Sequence, residues 1–186
     1  AQRDLLALPG AGISILEISH RSKTFEKIIN QAEANLRTLL GIPQNYRVLF
    51  LQGGALLQFG MVPMNLMRGK KSADYVNTGE WSKKAVREAS GQCRANVAAS
   101  SEDRKFTYAP AQSTWRLDRQ AAYVHYCSNE TTHGVEFQWT PDTGAVPLKV
   151  SEAPEFSVRL AALQAPLITP VPPLTTRLPL PTSGAA

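Results

Sequence analysis

The segment Arg47-Val-Leu-Phe-Leu-Gln-Gly-Gly-Ala-Leu-Leu-Gln-Phe59 decides the fold class that we expect for this chain of 186 residues. Val48–Leu51 is apolar at every position, which is typical of a central strand covered by helices on both faces. Gly53 and Gly54 follow at once, and Ala55–Met67 is predicted to be a helix. This junction leaves free backbone N–H groups at the positive end of a helix dipole, where a phosphate binds readily. A tight turn without a ligand is the simpler explanation of the glycines, because a lone glycine motif is weak evidence.

Outward from this segment, predicted strands alternate with predicted helices. Ser22 is the expected N-cap of an amphipathic helix that stops at Gly41, and Ser82 is the expected cap of a helix that runs through Ala89. The other segments with clear patterns are strands at Ala73–Asn77, Arg94–Ala99, Ala122–Cys127 and Ala145–Val150, a turn at Ser128–Thr132 and a short apolar stretch at Val135–Phe137. This alternation predicts an α/β layer fold with a mainly parallel sheet.

The composition is that of an ordinary globular chain, with 43% hydrophobic residues and a net charge of +5. Lysine and arginine are scattered, so nothing supports nucleic-acid binding. No apolar run approaches the roughly 20 residues of a membrane span. Cys93 and Cys127 lack a CxxC spacing and are predicted to be reduced thiols of a cytoplasmic protein. The first residues show no signal-peptide layout and no Met, so we expect the chain to be cut from something longer.

The pattern changes after residue 150. Residues 151–186 hold seven of the 13 prolines, and proline at that density excludes helix and interior strand. We therefore predict one globular part, residues 1–150, and a proline-rich tail, residues 151–186, that is extended or disordered.

Three polar segments follow predicted strands, and the carboxyl ends of parallel strands share one edge of a sheet, where ligands bind. They are Gln52–Ala55, Thr78–Lys84 and Asn129–Gly134. Within them, Trp81 suits either stacking on a planar ring or burial in the core. Thr131 suits either a hydrogen bond to a ligand or the cap of a turn.

The segment before the first amphipathic helix offers His20 and Arg21. Arg21 suits a two-pronged contact with a carboxylate, and equally a solvated position at the start of a helix. His20, His125 and His133 lack the spacing of metal ligands, so no metal site is expected.

Taken together and in order, four motifs closely resemble the phosphoserine aminotransferase family over roughly residues 1–150. They are Gly10–Ser14 with Ile18–Ser22, Leu49–Gly54, Thr78–Ser82 and Tyr126–Thr131. The resemblance implies an incomplete, three-layer large domain of a fold-type I transferase that depends on pyridoxal 5'-phosphate, and a homodimer. It also implies amino-group transfer between O-phosphoserine or glutamate and 3-phosphohydroxypyruvate or 2-oxoglutarate in L-serine biosynthesis.

The resemblance assigns roles to individual residues. His20 and Arg21 are expected to meet the substrate, with Arg21 holding the amino-acid carboxylate. The backbone amides of Ala55 and Leu56 are expected to hold the cofactor phosphate, although the family usually has a small or polar residue where Leu56 stands. Trp81 is expected to stack on the pyridine ring, and Thr131 to bond near the ring oxygen.

Two expected residues are missing. Ser151 stands where the family has the aspartate that pairs with the pyridinium nitrogen, and no lysine follows Lys149, although the family forms its Schiff base with a later lysine. No catalytic residue is therefore assigned. Because the loss of groups that act as a unit costs orders of magnitude in rate, we expect either a family member with a disrupted end or a non-enzymatic fragment. Such a fragment would bind pyridoxal phosphate weakly or pair with full-length subunits.

Overall fold

The computed structural model describes residues 2–152 and 162–163, which belong to two compact units, Ala1–Leu51 and Gln52–Ala186. The elements of the first unit are α1 (Gln2–Leu6), a 3-10 turn at Ile15–Glu17 and α2 (Lys23–Leu40). Ser14 caps the 3-10 turn by accepting from the Leu16 N–H, while the Glu17 carboxylate accepts from the Ser14 N–H. This reciprocal pair of bonds is a capping box that fixes the chain before His20.

Helix α2 has the caps that its sequence predicts. The Ser22 hydroxyl accepts from the Phe25 N–H at 3.1 Å. Gly41 ends the helix in the left-handed conformation, with φ of 60°, which glycine adopts without strain. Arg37 joins the last turn to the segment beyond it by donating to the carbonyl oxygens of Pro43 and Tyr46. The predicted helix from Ser22 to Gly41 is confirmed.

The predicted strand at Val48–Leu51 is wrong. These residues form no strand, and Leu49, Phe50 and Leu51 are 72%, 50% and 52% exposed. A continuous apolar run is stable as a central strand only where two neighbouring strands and two covering layers are present. In the described sheet, the interior positions are taken by other segments of the chain.

The second unit is an α/β layer structure, so the predicted fold class is confirmed. Its elements in chain order are α3 (Gly54–Leu66), β1 (Ser72–Asn77), α4 (Glu80–Ser90), β2 (Arg94–Ser100), β3 (Val124–Cys127), β4 (Asn129–Glu130), β5 (Val135–Glu136), β6 (Leu148–Glu152) and β7 (Ala162–Leu163). The main sheet has the order β2-β1-β3-β6-β7, with β7 antiparallel to β6 and the other neighbours parallel. Strands β4 and β5 form a separate antiparallel pair.

Strand β1 is buried along its whole length because both faces of the sheet are covered. On one face, Tyr75 packs in a cluster with Phe59 of α3 and Ala85 of α4. On the other face, Val76 packs in a cluster with Phe137. The core therefore places the end of β1, and the start of α4 after it, between the ends of β2 and β3.

Of the predicted tail, the structure describes residues 151–152, which end β6, and Ala162–Leu163, which pairs with β6 at the margin of the sheet. The rest of the predicted extended tail, residues 153–161 and 164–186, lies outside the described residues. The predicted boundary at residue 150 therefore stays a prediction.

A carboxylate pair holds the amino end of β1. Asp74 is fully buried and accepts from the Asn96 amide and the Asp118 N–H, both at 2.7 Å. Asp118 in turn accepts from the Ser72 hydroxyl and the Arg94 guanidinium. Burial raises the pKa of Asp74. The Gln120 N–H and then the Ser72 hydroxyl hold the pKa of Asp118 below its usual value.

The lowered pKa of Asp118 predicts that part of the free energy of unfolding is lost at acid pH. Its lowered pKa contributes stability that is present above the unfolded-state value of about 3.9 and is lost as pH falls through the folded-state value. Asp118→Asn should therefore lose less stability than the unaltered chain between about pH 7 and about pH 3. Urea midpoints measure this, with the exposed Glu102→Gln as the control. An equal acid loss in the unaltered chain and Asp118→Asn would contradict the assignment.

Candidate active site

The carboxyl ends of β1 and β3 bring two of the predicted polar segments together. Thr78 and Gly79 lead from β1 into α4, and the turn after β4 carries Thr131. The Trp81 indole N–H donates to the Thr131 hydroxyl oxygen at 3.1 Å, so these two predicted site residues are in direct contact. The Lys84 ammonium lies 4.4 Å from the centroid of the Trp81 ring. Trp81 is partly buried against the core.

Helix α4 is capped by a carboxylate from a distant part of the chain. Glu130 is fully buried, and its carboxylate accepts from the Trp81 N–H at 3.0 Å, the Ser82 N–H at 2.8 Å and the Ser82 hydroxyl at 2.6 Å. The first amides of a helix have no partner within the helix, and a negative charge there is favoured by the dipole. Glu130 therefore fills the anion position at this helix end.

Ser82 does not cap the helix as predicted. The N-cap is Gly79, and Ser82 is the third residue of α4. The Ser82 hydroxyl accepts from the N–H groups of Thr78 and Gly79 and donates to Glu130. The helix thus starts earlier than expected because the capping acceptor comes from Glu130, which the local sequence does not show.

Gly79 is required by the close approach of Glu130 rather than by backbone strain. Its φ of 162° is extended backbone, which any residue adopts. A Cβ atom there would lie 2.7 Å from Glu130 Oε2 and 2.9 Å from His133 Nδ1. Within the described part of the chain, Thr78 Oγ1, Ser101 Oγ and His133 Nδ1 are buried polar atoms without a hydrogen-bond partner. Buried polar atoms that are still able to form a hydrogen bond thus lie around this sheet edge.

The start of α3 has no side-chain acceptor, whereas the first amides of α4 donate to Glu130. Its N-cap is Gly53, with φ of 101°, and no side chain caps it. The Leu57 N–H makes the first intrahelical bond, to Gly53 O, which leaves the amides of Ala55 and Leu56 without a partner in the helix. A Cβ at Gly53 would lie 2.3 Å from the Leu57 side chain, so the turn requires glycine. This helix end retains the donors that an anion needs.

His20 and Arg21 lie in the first unit, in the turn before α2, and both are exposed. The Arg21 N–H donates to the Ser19 hydroxyl at 3.3 Å, which shapes the turn. The expected contact of the Arg21 guanidinium with a substrate carboxylate stays a prediction.

Ser151, which stands where the family resemblance expects aspartate, lies on β6 beside Tyr126 of β3. Burial raises the pKa of Tyr126, and a hydrogen bond with Ser151 opposes that shift. The Ser151 hydroxyl is neutral, so it does not supply the negative charge that a pyridinium nitrogen would need.

No helix among the described residues has the length and apolar character needed to cross a membrane. No cluster of three or more His, Cys, Asp or Glu residues with metal-binding geometry occurs in the same part of the chain.

The chain belongs to the class-V aminotransferase family. The profile of the family "Aminotransferase class-V" matches residues 4–147, which is most of the chain. Among curated relatives, the phosphoserine aminotransferase of Chromobacterium violaceum is 51% identical over 160 residues, which cover 86% of this chain and 44% of that protein. The phosphoserine aminotransferase of Nitrosomonas europaea is 54% identical over 146 residues, which cover 78% and 40%.

Solved structures agree with the sequence relatives. Phosphoserine aminotransferase from Bacillus circulans subsp. alkalophilus superposes with a TM-score of 0.76 at 39% identity, over 83% of this chain and 48% of that one. Pyridoxal-phosphate-bound phosphoserine aminotransferase from Trichomonas vaginalis gives 0.72 at 32% identity, over 81% and 48%. The resemblance to the phosphoserine aminotransferase family is thus confirmed. The chain spans less than half the length of these relatives.

Sequence reasoning did not single out Glu130. No local signal marked it: α4 begins after Gly79, which has no side chain to act as a cap, but α3 begins after Gly53 in the same way and has no side-chain cap. At α4 the acceptor is Glu130, the acidic residue beside Thr131, which lies far from α4 in the sequence.

The Trp81–Thr131 hydrogen bond predicts a specific cost of substitution. Thr131→Val keeps the volume but removes the acceptor of a partly buried indole N–H, so the free energy of unfolding should fall by about 1 kcal/mol. The matched control is Thr132→Val at the exposed neighbouring position, which should change it by less than about 0.5 kcal/mol. Urea unfolding measures both. Equal effects of the two substitutions would argue against the bond.

Proposed function

We propose that residues 52–152 form the cofactor-holding part of a phosphoserine aminotransferase. The observation that carries this proposal is the contact between Trp81 and Thr131. A hydroxyl that accepts one hydrogen bond still has its own proton to donate. The Thr131 hydroxyl, oriented by the indole N–H, suits an anionic ring oxygen beside an aromatic ring stacked on Trp81.

The open start of α3 supports the same proposal. Phosphate needs several backbone N–H donors and the positive end of a helix dipole, and the amides of Ala55 and Leu56 supply both. The start of α4 does not compete for the phosphate, because Glu130 already fills it. The exposed Leu56 side chain is no obstacle, since its contribution is a backbone donor.

The amides of Ala55 and Leu56 suit the phosphate of pyridoxal phosphate, and the Thr131 hydroxyl suits its ring oxygen. When bound, this cofactor acts as an electron sink for the substrate's α-carbon. The protein's part in this chain is to bind and orient: backbone amides at the phosphate, Trp81 at the ring and Thr131 at the ring oxygen. We assign the substrate carboxylate to Arg21, with His20 beside it.

For the complete enzyme of this kind, we propose amino-group transfer between O-phosphoserine or glutamate and 3-phosphohydroxypyruvate or 2-oxoglutarate, in L-serine biosynthesis. The relatives named as phosphoserine aminotransferases support this substrate class. We further propose that it acts as a homodimer in the cytoplasm, with small-molecule substrates and without nucleic-acid or membrane partners.

A second function is favoured for the 186 residues on their own, namely reversible cofactor binding without transamination. No lysine occurs after Lys149, and Ser151 replaces the expected aspartate. These residues therefore hold the cofactor without the lysine that the family attaches to it. A non-enzymatic fragment of this kind binds pyridoxal phosphate weakly or pairs with full-length subunits.

The two functions are separated by covalent trapping. The purified chain with pyridoxal phosphate should release the cofactor on dialysis, and borohydride should not fix it in a stoichiometric, site-specific manner. Absorbance after gel filtration and peptide mapping measure this. Transamination of O-phosphoserine with 2-oxoglutarate should be absent under the same conditions. Stoichiometric fixation at one lysine together with turnover would instead establish a self-sufficient enzyme.

The phosphate assignment is tested at Ala55. Ala55→Pro removes one backbone N–H in the first helical turn, where proline is tolerated because that N–H has no partner within the helix. It should weaken pyridoxal phosphate binding about tenfold, as expected for a lost charge-assisted hydrogen bond. Ala55→Ser, which keeps the N–H, is the control.

Pyridoxal, which lacks the phosphate, is the matched ligand for this experiment. Its affinity should be the same for Ala55→Pro and the unaltered chain, as measured by equilibrium titration. Equal weakening of both ligands would show that the substitution disturbs the ring site instead of the phosphate site.

A further inference from the structure

The Trp81 residue is held at two points by two adjacent residues. Its backbone N–H donates to Glu130 Oε2 at 3.0 Å, and its indole N–H donates to Thr131 Oγ1 at 3.1 Å. A tryptophan side chain has two rotatable bonds, so fixing its backbone and the far end of its ring fixes the plane of the ring. The two acceptors belong to the β4 strand and the turn that follows it, not to α4 itself.

We propose that Glu130 is a positioning residue of the ring site: its buried carboxylate fixes the first turn of α4 so that Trp81 meets Thr131 and presents its ring to the cofactor. This inference rests on the proposed function. Glu130 itself touches neither the cofactor nor the substrate, and it acts through Trp81 and through its neighbour Thr131.

The burial of Glu130 indicates a role beyond surface capping. A carboxylate with no exposed surface is costly unless its oxygens are well bonded. Here Oε1 accepts from the N–H and hydroxyl of Ser82, and Oε2 accepts from the Trp81 N–H. The Ser82 hydroxyl oxygen also accepts hydrogen bonds from the N–H groups of Thr78 and Gly79. The whole turn from β1 into α4 therefore converges on one carboxylate.

Two substitutions disturb this carboxylate by independent routes. Glu130→Gln keeps the shape but leaves one acceptor oxygen, and its amide nitrogen then faces an N–H donor. Gly79→Ala introduces a Cβ that would lie 2.7 Å from Glu130 Oε2, which displaces the carboxylate without backbone strain. The control is Glu80→Gln, which removes the same charge from the first turn of α4 at a half-buried position beside Lys83.

The first measurement uses the unaltered chain. The amides of Trp81 and Ser82 have no acceptor within the helix, so their hydrogen exchange is slow only if Glu130 holds them. We expect protection of both amides well above that of Ala55 and Leu56, the corresponding first-turn amides of α3. Exchange as fast as at the open start of α3 would overturn the proposal.

The second measurement follows the indole itself. The near-ultraviolet circular dichroism of Trp81 is obtained by subtracting the spectrum of Trp81→Phe. Glu130→Gln and Gly79→Ala should lose at least about half of this signal, while Glu80→Gln keeps it. A full Trp81 signal in folded Glu130→Gln and Gly79→Ala would show that the carboxylate does not fix the ring.

The third measurement is a double-mutant cycle on cofactor affinity. Glu130→Gln should weaken pyridoxal phosphate binding about tenfold in the unaltered chain, and by much less in the Trp81→Phe background. Equal weakening in both backgrounds would mean that Glu130 acts by a route other than Trp81, which overturns the positioning role. If the unaltered chain binds no pyridoxal phosphate, the proposed function fails, while hydrogen exchange and circular dichroism still decide whether Glu130 holds the indole.

Discussion

The burial of β1 on both faces is the constraint on which the second unit depends. A strand covered on both sides has its direction and register fixed by two clusters of side chains, one with Tyr75 and one with Val76. Its carboxyl end therefore has one position, between the ends of β2 and β3. This position fixes where the next residues lie, namely Thr78, Gly79 and the first turn of α4. The candidate site is formed from these residues.

Two helices of this unit start after a glycine, and they have opposite electrostatic arrangements. At α4, the carboxylate of Glu130 neutralises the positive end of the dipole from within the protein. At α3, Gly53 provides no acceptor, and the first amides have none within the helix. A glycine before a helix is thus ambiguous in sequence. Only the presence or absence of an acidic partner from elsewhere distinguishes a filled helix end from one that is free to bind an anion.

Local patterns predicted most of the fold and about half of the candidate site. Caps and apolar periodicity placed α2, and β-branched and aromatic residues placed β1 and β3, because these signals act over a few residues. Val48–Leu51 was predicted wrongly because an apolar run reports only that burial is favourable. It does not report which interior position of the sheet is available. The start of α4 was predicted at the wrong residue for a similar reason. The side chain that accepts from its first amides is Glu130, which lies 48 residues away from Ser82 in the sequence.

The site shows the same division between local and distant information. Trp81 and Thr131 follow different strands, so the rule that parallel strands share a carboxyl edge was enough to bring them together. Glu130 was missed because its function is to satisfy donors on another element. Its replacement by a neutral side chain would leave Trp81 and Thr131 in place in the sequence while removing the bonds that orient them. A family motif that keeps only Trp81 and Thr131 is therefore an incomplete description of the site. The geometry depends equally on the Glu130 carboxylate and on Gly79, which leaves room for it.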